Sequence, residues 1–137
     1  KFGLTRDIGI NDLCRATLES LALQTRDVIV AMEKDAKLNL NSLAVDGGAC
    51  VNDFLMQFQS DILNTKVNRP KTIESTALGV AYLAGLKTGY YKINSLKSNH
   101  EIEKTFHPKK DLKTIKNKIT NWDKAIQCLI NLHRNNE

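Results

Sequence analysis

A chain of 137 residues with 42% apolar content, 26% charged residues, seven glycines and two prolines has the composition of one ordinary globular domain, neither disordered nor collagen-like. No uninterrupted apolar run exceeds five residues, as in Val28 to Met32, against the roughly 20 that span a bilayer; no transmembrane helix and no membrane partner are expected. The formal charge of +5 is uneven, because residues 1–90 carry ten basic and ten acidic side chains and residues 91–137 carry ten and five. The C-terminal lysines are accompanied by Tyr91, Phe106 and Trp122 but by no Arg cluster or nucleic-acid motif, so they are expected to form a solvated helix face and nucleic acid is not an expected partner.

Lys1-Phe2-Gly3-Leu4 shows neither an initiator Met nor the order of a secretory signal, and the chain is expected to be a piece of a longer one. Cys14, Cys50 and Cys128 lie 36 and 78 residues apart, with no metal or redox spacing; such sparse thiols suit a reducing cytoplasm.

From Asp12 to Lys37, Cys14, Leu18, Leu21, Thr25, Val28, Met32 and Ala36 recur at steps of three and four, which predicts a long amphipathic helix. Asn11 or Asp12 is its expected cap, and Arg15–Glu19 and Glu33–Lys37 its expected ion pairs. Leu43-Ala44-Val45 then reads as a short strand running into Asp46-Gly47-Gly48, and Val51, Leu55, Phe58 and Ile62 place a helix after the turn. Lys66 to Arg69 reads as a second strand stopped by Pro70. The unit is β-α-β.

Glu74-Ser75-Thr76 offers a cap for a helix over Ala77 to Lys87 with Gly89 at its end. In that helix Ala77, Ala81 and Gly85 form a face without bulk beside an apolar stripe of Leu78, Tyr82 and Leu86. Asn94 to Asn99 reads as a connector and Ile102 to Phe106 as an edge strand. Leu112, Ile115, Ile119, Trp122, Ile126, Leu129 and His133 predict a terminal helix. Strands embedded among four helices imply an α/β fold.

The segment richest in chemistry is Leu43 to Gln59. Two glycines after a buried strand leave backbone N–H groups bare to a ligand, and the helix that follows points its positive end at the same spot, an arrangement that suits a nucleotide. The same turn also serves a purely conformational need, and its spacing matches neither the dinucleotide fingerprint nor the Walker loop. Asn52 can cap the helix or hydrogen-bond a base or ribose. Asp46 can act as ligand or base, or accept backbone N–H bonds. His100, His107 and His133 are scattered, and no nucleophile-base set assembles.

Gly3-Leu4, seven residues, Asp12-Leu13, two residues, then Ala16-Thr17-Leu18-Glu19 resembles the second signature of the FGGY carbohydrate kinases. Arg15 to Met32, Val45 to Leu63, and Glu74 to Leu86 after Arg69-Pro70 resemble the C-terminal domain of the glycerol-using branch of that family. The likeness runs from Gly3 to about Gly89 and continues collinearly, more weakly, to the Trp122 helix. It implies an actin-like ATPase, ribonuclease-H-like fold, of which these residues form part of the C-terminal lobe. It divides the single domain 1–137 into a nucleotide-binding core, 1–90, and a basic extension with a terminal helix, 91–137.

The resemblance further implies that Gly47, Gly48 and Asn52 contact an adenine nucleotide, and that the reaction transfers the ATP γ-phosphoryl group, with Mg2+, to a glycerol hydroxyl. The family's catalytic Asp, its glycerol-binding residues and its phosphate loops would precede Lys1. No catalytic residue, no metal ligand and no kinase activity are therefore expected of these 137 residues alone, and the whole enzyme is expected to be a homo-oligomer. Lys109-Lys110-Asp111-Leu112-Lys113 does not match the segment by which some bacterial members dock a regulatory phosphotransfer protein. A family member acting on another polyol or sugar, or a non-catalytic interaction module of the same fold, are the alternatives.

Overall fold

The computed structural model describes residues 3–96 and 101–134. In chain order they form α1 (Ile10–Ala36), β1 (Ser42–Ala44), a 3-10 helix (Gly48–Val51), α2 (Asp53–Leu63), β2 (Lys66–Pro70), α3 (Ser75–Lys87), α4 (Ile93–Leu96), β3 (Ile102–Phe106) and α5 (Leu112–Arg134).

The strands make one sheet in the order β1-β2-β3. β1 and β2 run parallel with Leu43 opposite Val67, and β3 is antiparallel to β2 with Phe106 opposite Val67. The β-α-β unit and the edge strand are thus as the alternation predicts. Pro70, lacking an N–H, is the last residue of β2, where the register shifts before Ile102.

α2 is the centre of the packing. Its face Leu55, Met56, Phe58 and Ile62 is buried together with Ala22 and Leu23 of α1, Val67 of β2, Phe106 of β3 and Ile115 of α5. Phe58 is among the largest fully buried side chains, and burying a side chain of that size contributes about 1.5–3 kcal/mol. Two polar side chains of the core find carbonyl partners: Ser60 donates to the carbonyl of Thr65 (2.7 Å) or of Phe106 (3.1 Å), and Gln59 donates to that of Ala22 (3.3 Å), whereas the buried Asp61 Oδ2 accepts no hydrogen bond from the described residues and faces the Lys110 ammonium at 3.9 Å.

Several local expectations need correction. The cap of α1 is Gly9, not Asn11 or Asp12; Asp12 sits inside the first turn and its carboxylate accepts the Gly9 N–H at 3.0 Å. Arg15 does pair with Glu19, at 2.9 Å. Glu33 instead accepts the Leu40 N–H, because Lys37 has turned into the left-handed conformation that ends the helix. The stripe of α1 is covered only in part: Val28 and Met32 remain exposed. α3 starts at Ser75 instead of Ala77; of the three residues expected to offer its cap, Glu74 takes the position, without a side-chain hydrogen bond. Residues 94–96 belong to the short α4, while 97–99 and His100 lie outside the described residues.

Candidate functional site

β1 ends at Ala44, and the chain turns sharply through Asp46-Gly47-Gly48. Gly47 has φ +77°, a conformation that costs an L side chain roughly 1–2 kcal/mol. Its N–H donates to the Ile73 carbonyl at 2.7 Å, tying the turn to the segment before α3. A Cβ placed on Gly47 or Gly48 would meet nothing within 4 Å. The turn is therefore bare backbone facing open space. By position the amides of Gly48 and Ala49 open the 3-10 helix and have no partner within it.

Asn52 ends the 3-10 helix and caps α2: its Oδ1 accepts the Leu55 N–H at 3.0 Å. The capping alternative is realised in a half-buried residue, and the cap uses the amide oxygen, not the amide nitrogen. A helix does follow the glycines, but it comes in two pieces, because the 3-10 turn is needed to carry the chain from the strand direction onto α2.

Asp46 neither joins a cluster of ligands nor gathers backbone N–H groups; its carboxylate accepts the Ser75 hydroxyl. Beside it, a cleft of about 800 Å3 opens between the strand ends and α3, lined in part by Asp46, Asn68, Ser75, Gly79 and Tyr82. Gly47, Gly48 and Asn52 do not line that cleft. Among the described residues no group of three or more His, Cys, Asp or Glu is arranged to hold a metal ion. His107 lies before α5 and offers its carbonyl to Gln57, and His133 lies in the last turn of α5.

The structure adds a group that spacing did not single out. Arg69, on the same face of β2 as Val67, has a side chain only 8% exposed. Its Nη1 donates to the carbonyls of Cys50 (2.9 Å) and Val51 (3.3 Å) and to Asp53 Oδ1 (2.8 Å), and its Nε to Glu103 Oε2 (2.8 Å). Lys104 reaches the other oxygen of Asp53 at 2.6 Å. The hydrogen bonds from Lys104 and Arg69 hold the Asp53 carboxyl below its ordinary pKa, whereas burial pushes the Cys50 thiol up. Its place two residues after Val67 puts Arg69 on the inward face of the strand, but nothing local in the sequence points to its partners on other elements.

Residues 2–88 match the C-terminal domain of the FGGY family of carbohydrate kinases. Over 129 residues the chain is 52% identical to a glycerol kinase of Lachnoclostridium phytofermentans, covering 93% of this chain and 26% of that protein. A glycerol kinase of Vibrio vulnificus is 50% identical over 127 residues, 92% of this chain and 25% of its own length. The chain thus spans about a quarter of the curated relatives it matches. Among solved structures, Plasmodium falciparum glycerol kinase with ADP superposes with a TM-score of 0.79 at 36% identity, over 92% of this chain and 26% of that one. A ligand-bound xylulose kinase from Lactobacillus acidophilus gives 0.77 at 21% identity, over 94% and 26%, a likeness of fold. With the signature residues, the glycine turn and the β-α-β unit in place, the chain belongs to the FGGY family of carbohydrate kinases, and its fold is that of the family's C-terminal, actin-like lobe.

Proposed function

We propose that this chain is the nucleotide-binding, C-terminal part of a glycerol kinase, which transfers the γ-phosphoryl group of ATP to a glycerol hydroxyl to give glycerol 3-phosphate. The observation that carries the reading is the Gly47–Gly48 turn, where no side chain stands between the backbone and open space. In this reading Gly47 and Gly48 let the nucleotide lie against main chain, and the amide nitrogen of Asn52 hydrogen-bonds it while its Oδ1 caps α2. The names of the relatives and the ADP in the Plasmodium enzyme support it.

Catalysis of this kind rests on positioning the reacting groups and stabilising charge on the phosphoryl oxygens. Here the chain would fix the adenosine end of ATP, and the groups that handle glycerol and the γ-phosphate would come from the remainder of a longer protein. Mg2+, which would accompany the ATP phosphates, finds no fitting donor set among the described residues, and Asp46 is engaged by Ser75. Residues 1–90 are proposed as the nucleotide-binding core and 91–137 as a basic extension of the same domain. A reducing cytoplasm and a homo-oligomeric whole enzyme complete the proposal, the former supported by three unpaired thiols.

The test is ADP titration of the full-length kinase bearing this chain, with Asn52→Asp beside it. Asp retains the cap, so thermal stability should hold, while loss of the amide donor should weaken ADP binding about threefold to tenfold. Unchanged ADP affinity in the variant, or preference for another polyol or sugar over glycerol, would overturn the corresponding part of the reading. The 137 residues alone should phosphorylate no glycerol.

A further inference from the structure

We propose that Arg69 is a positioning residue for nucleotide binding, its guanidinium holding the carbonyl end of the 3-10 helix so that Gly47, Gly48 and Asn52 keep a fixed geometry. The proposal rests on the reading of that turn as the nucleotide contact and names the group that keeps it rigid.

A four-residue 3-10 helix has few internal hydrogen bonds, and its last carbonyls need partners from elsewhere. Asn52 N–H takes the Ala49 carbonyl at 3.2 Å. The next two carbonyls, of Cys50 and Val51, both accept from Arg69 Nη1. These carbonyls lie between the glycine pair and Asn52, the two halves of the proposed contact. The guanidinium is in turn fixed by Asp53 at the start of α2, by a two-point contact with Glu103 of β3 at 2.8 and 3.4 Å, and by the Phe106 ring, whose centroid lies 5.4 Å from its central carbon. One buried fork therefore ties together β2, the 3-10 helix, α2 and β3.

A lysine brings the charge but offers no planar fork for two carbonyls and two carboxylates at once. A loosened 3-10 helix must be reordered by the ligand, and that ordering is subtracted from affinity. The effect falls on nucleotide because the acceptor touches none of these groups in this reading.

The experiment uses the full-length kinase carrying Arg69→Met, Arg69→Lys and Glu103→Gln, with ADP affinity by calorimetry, the KM for ATP, the KM for glycerol, kcat and thermal unfolding measured for each. Arg69→Met should raise the ADP Kd and the KM for ATP about tenfold, leaving the KM for glycerol within about twofold of the parent. Arg69→Lys should fall between. Glu103→Gln removes one charge anchoring the fork from an exposed position, and should give a smaller shift confined to the nucleotide constants. Parent-like nucleotide constants in a folded Arg69→Met protein, or equal rises in both KM values, would overturn the proposal. If that variant does not fold, parent-like constants in both other variants overturn it. A parent enzyme that binds no ADP would defeat the underlying nucleotide reading as well, an outcome separate from any variant.

Discussion

Gly85 is buried in α3, and a Cβ there would come within 2.2 Å of the Tyr91 ring. The ring also packs edge-on to Tyr82, with centroids 5.6 Å apart. Gly85→Ala should therefore destabilise by about 1–3 kcal/mol, although alanine ordinarily favours a helix; urea melts of the single variant and of Gly85→Ala with Tyr91→Ala measure it, and the double variant should recover most of the loss. The bulk-free face of α3 was legible at residues 77, 81 and 85, because a four-residue spacing is local information. Its occupant was not: Tyr91 reaches it only after the chain reverses at Gly89. Arg69 was illegible for the same reason, as Glu103 lies 34 residues away and no periodicity links them. Asn52 shows the opposite case, since one short motif carried the capping and ligand readings together and the structure realises the first.

The helices were the most legible elements, because α1, α2 and α5 each carry steps of three and four. Their lengths and caps were less so, since caps depend on a few backbone hydrogen bonds that composition does not encode. α5 is docked by polar ties at its start and middle. Asp61 of α2, with a side chain 1% exposed, accepts the Lys109 N–H at 2.8 Å, and Trp122 Nε1 donates to Asp27 at 2.7 Å. Trp122→Phe keeps most of the packing and removes that donor, so it should cost about 0.5–1.5 kcal/mol in equilibrium unfolding. Ending the chain at residue 90 removes β3 and α5, uncovering Val67 and Phe58; circular dichroism should show that this shorter chain loses its cooperative transition.

Across the molecule, acid should act through the seam between α1 and α5. Glu19 is 14% exposed, receives hydrogen bonds from Lys118 (2.7 Å) and Arg15 (2.9 Å), and has a pKa below its ordinary 4.5; burial acts to raise it, and the hydrogen bonds and the two cations outweigh that. A carboxyl depressed in the folded state contributes its stability in full above the unfolded value and loses it as pH falls through the folded one. Glu19→Gln should thus be less stable than the parent at neutral pH. The two melting curves should converge once the pH is well below 4.5.

The ties that close this seam join residues 95 to 99 positions apart: Trp122 with Asp27, Arg26 with Asp123, and Lys118 with Glu19. On a ribosome adding about 5–20 residues per second, the first long helix waits roughly 5–20 seconds for its last neighbour to be made. During that interval its greasy flank is on offer to any nascent-chain binder, and slow codons between the two helices would prolong the exposure.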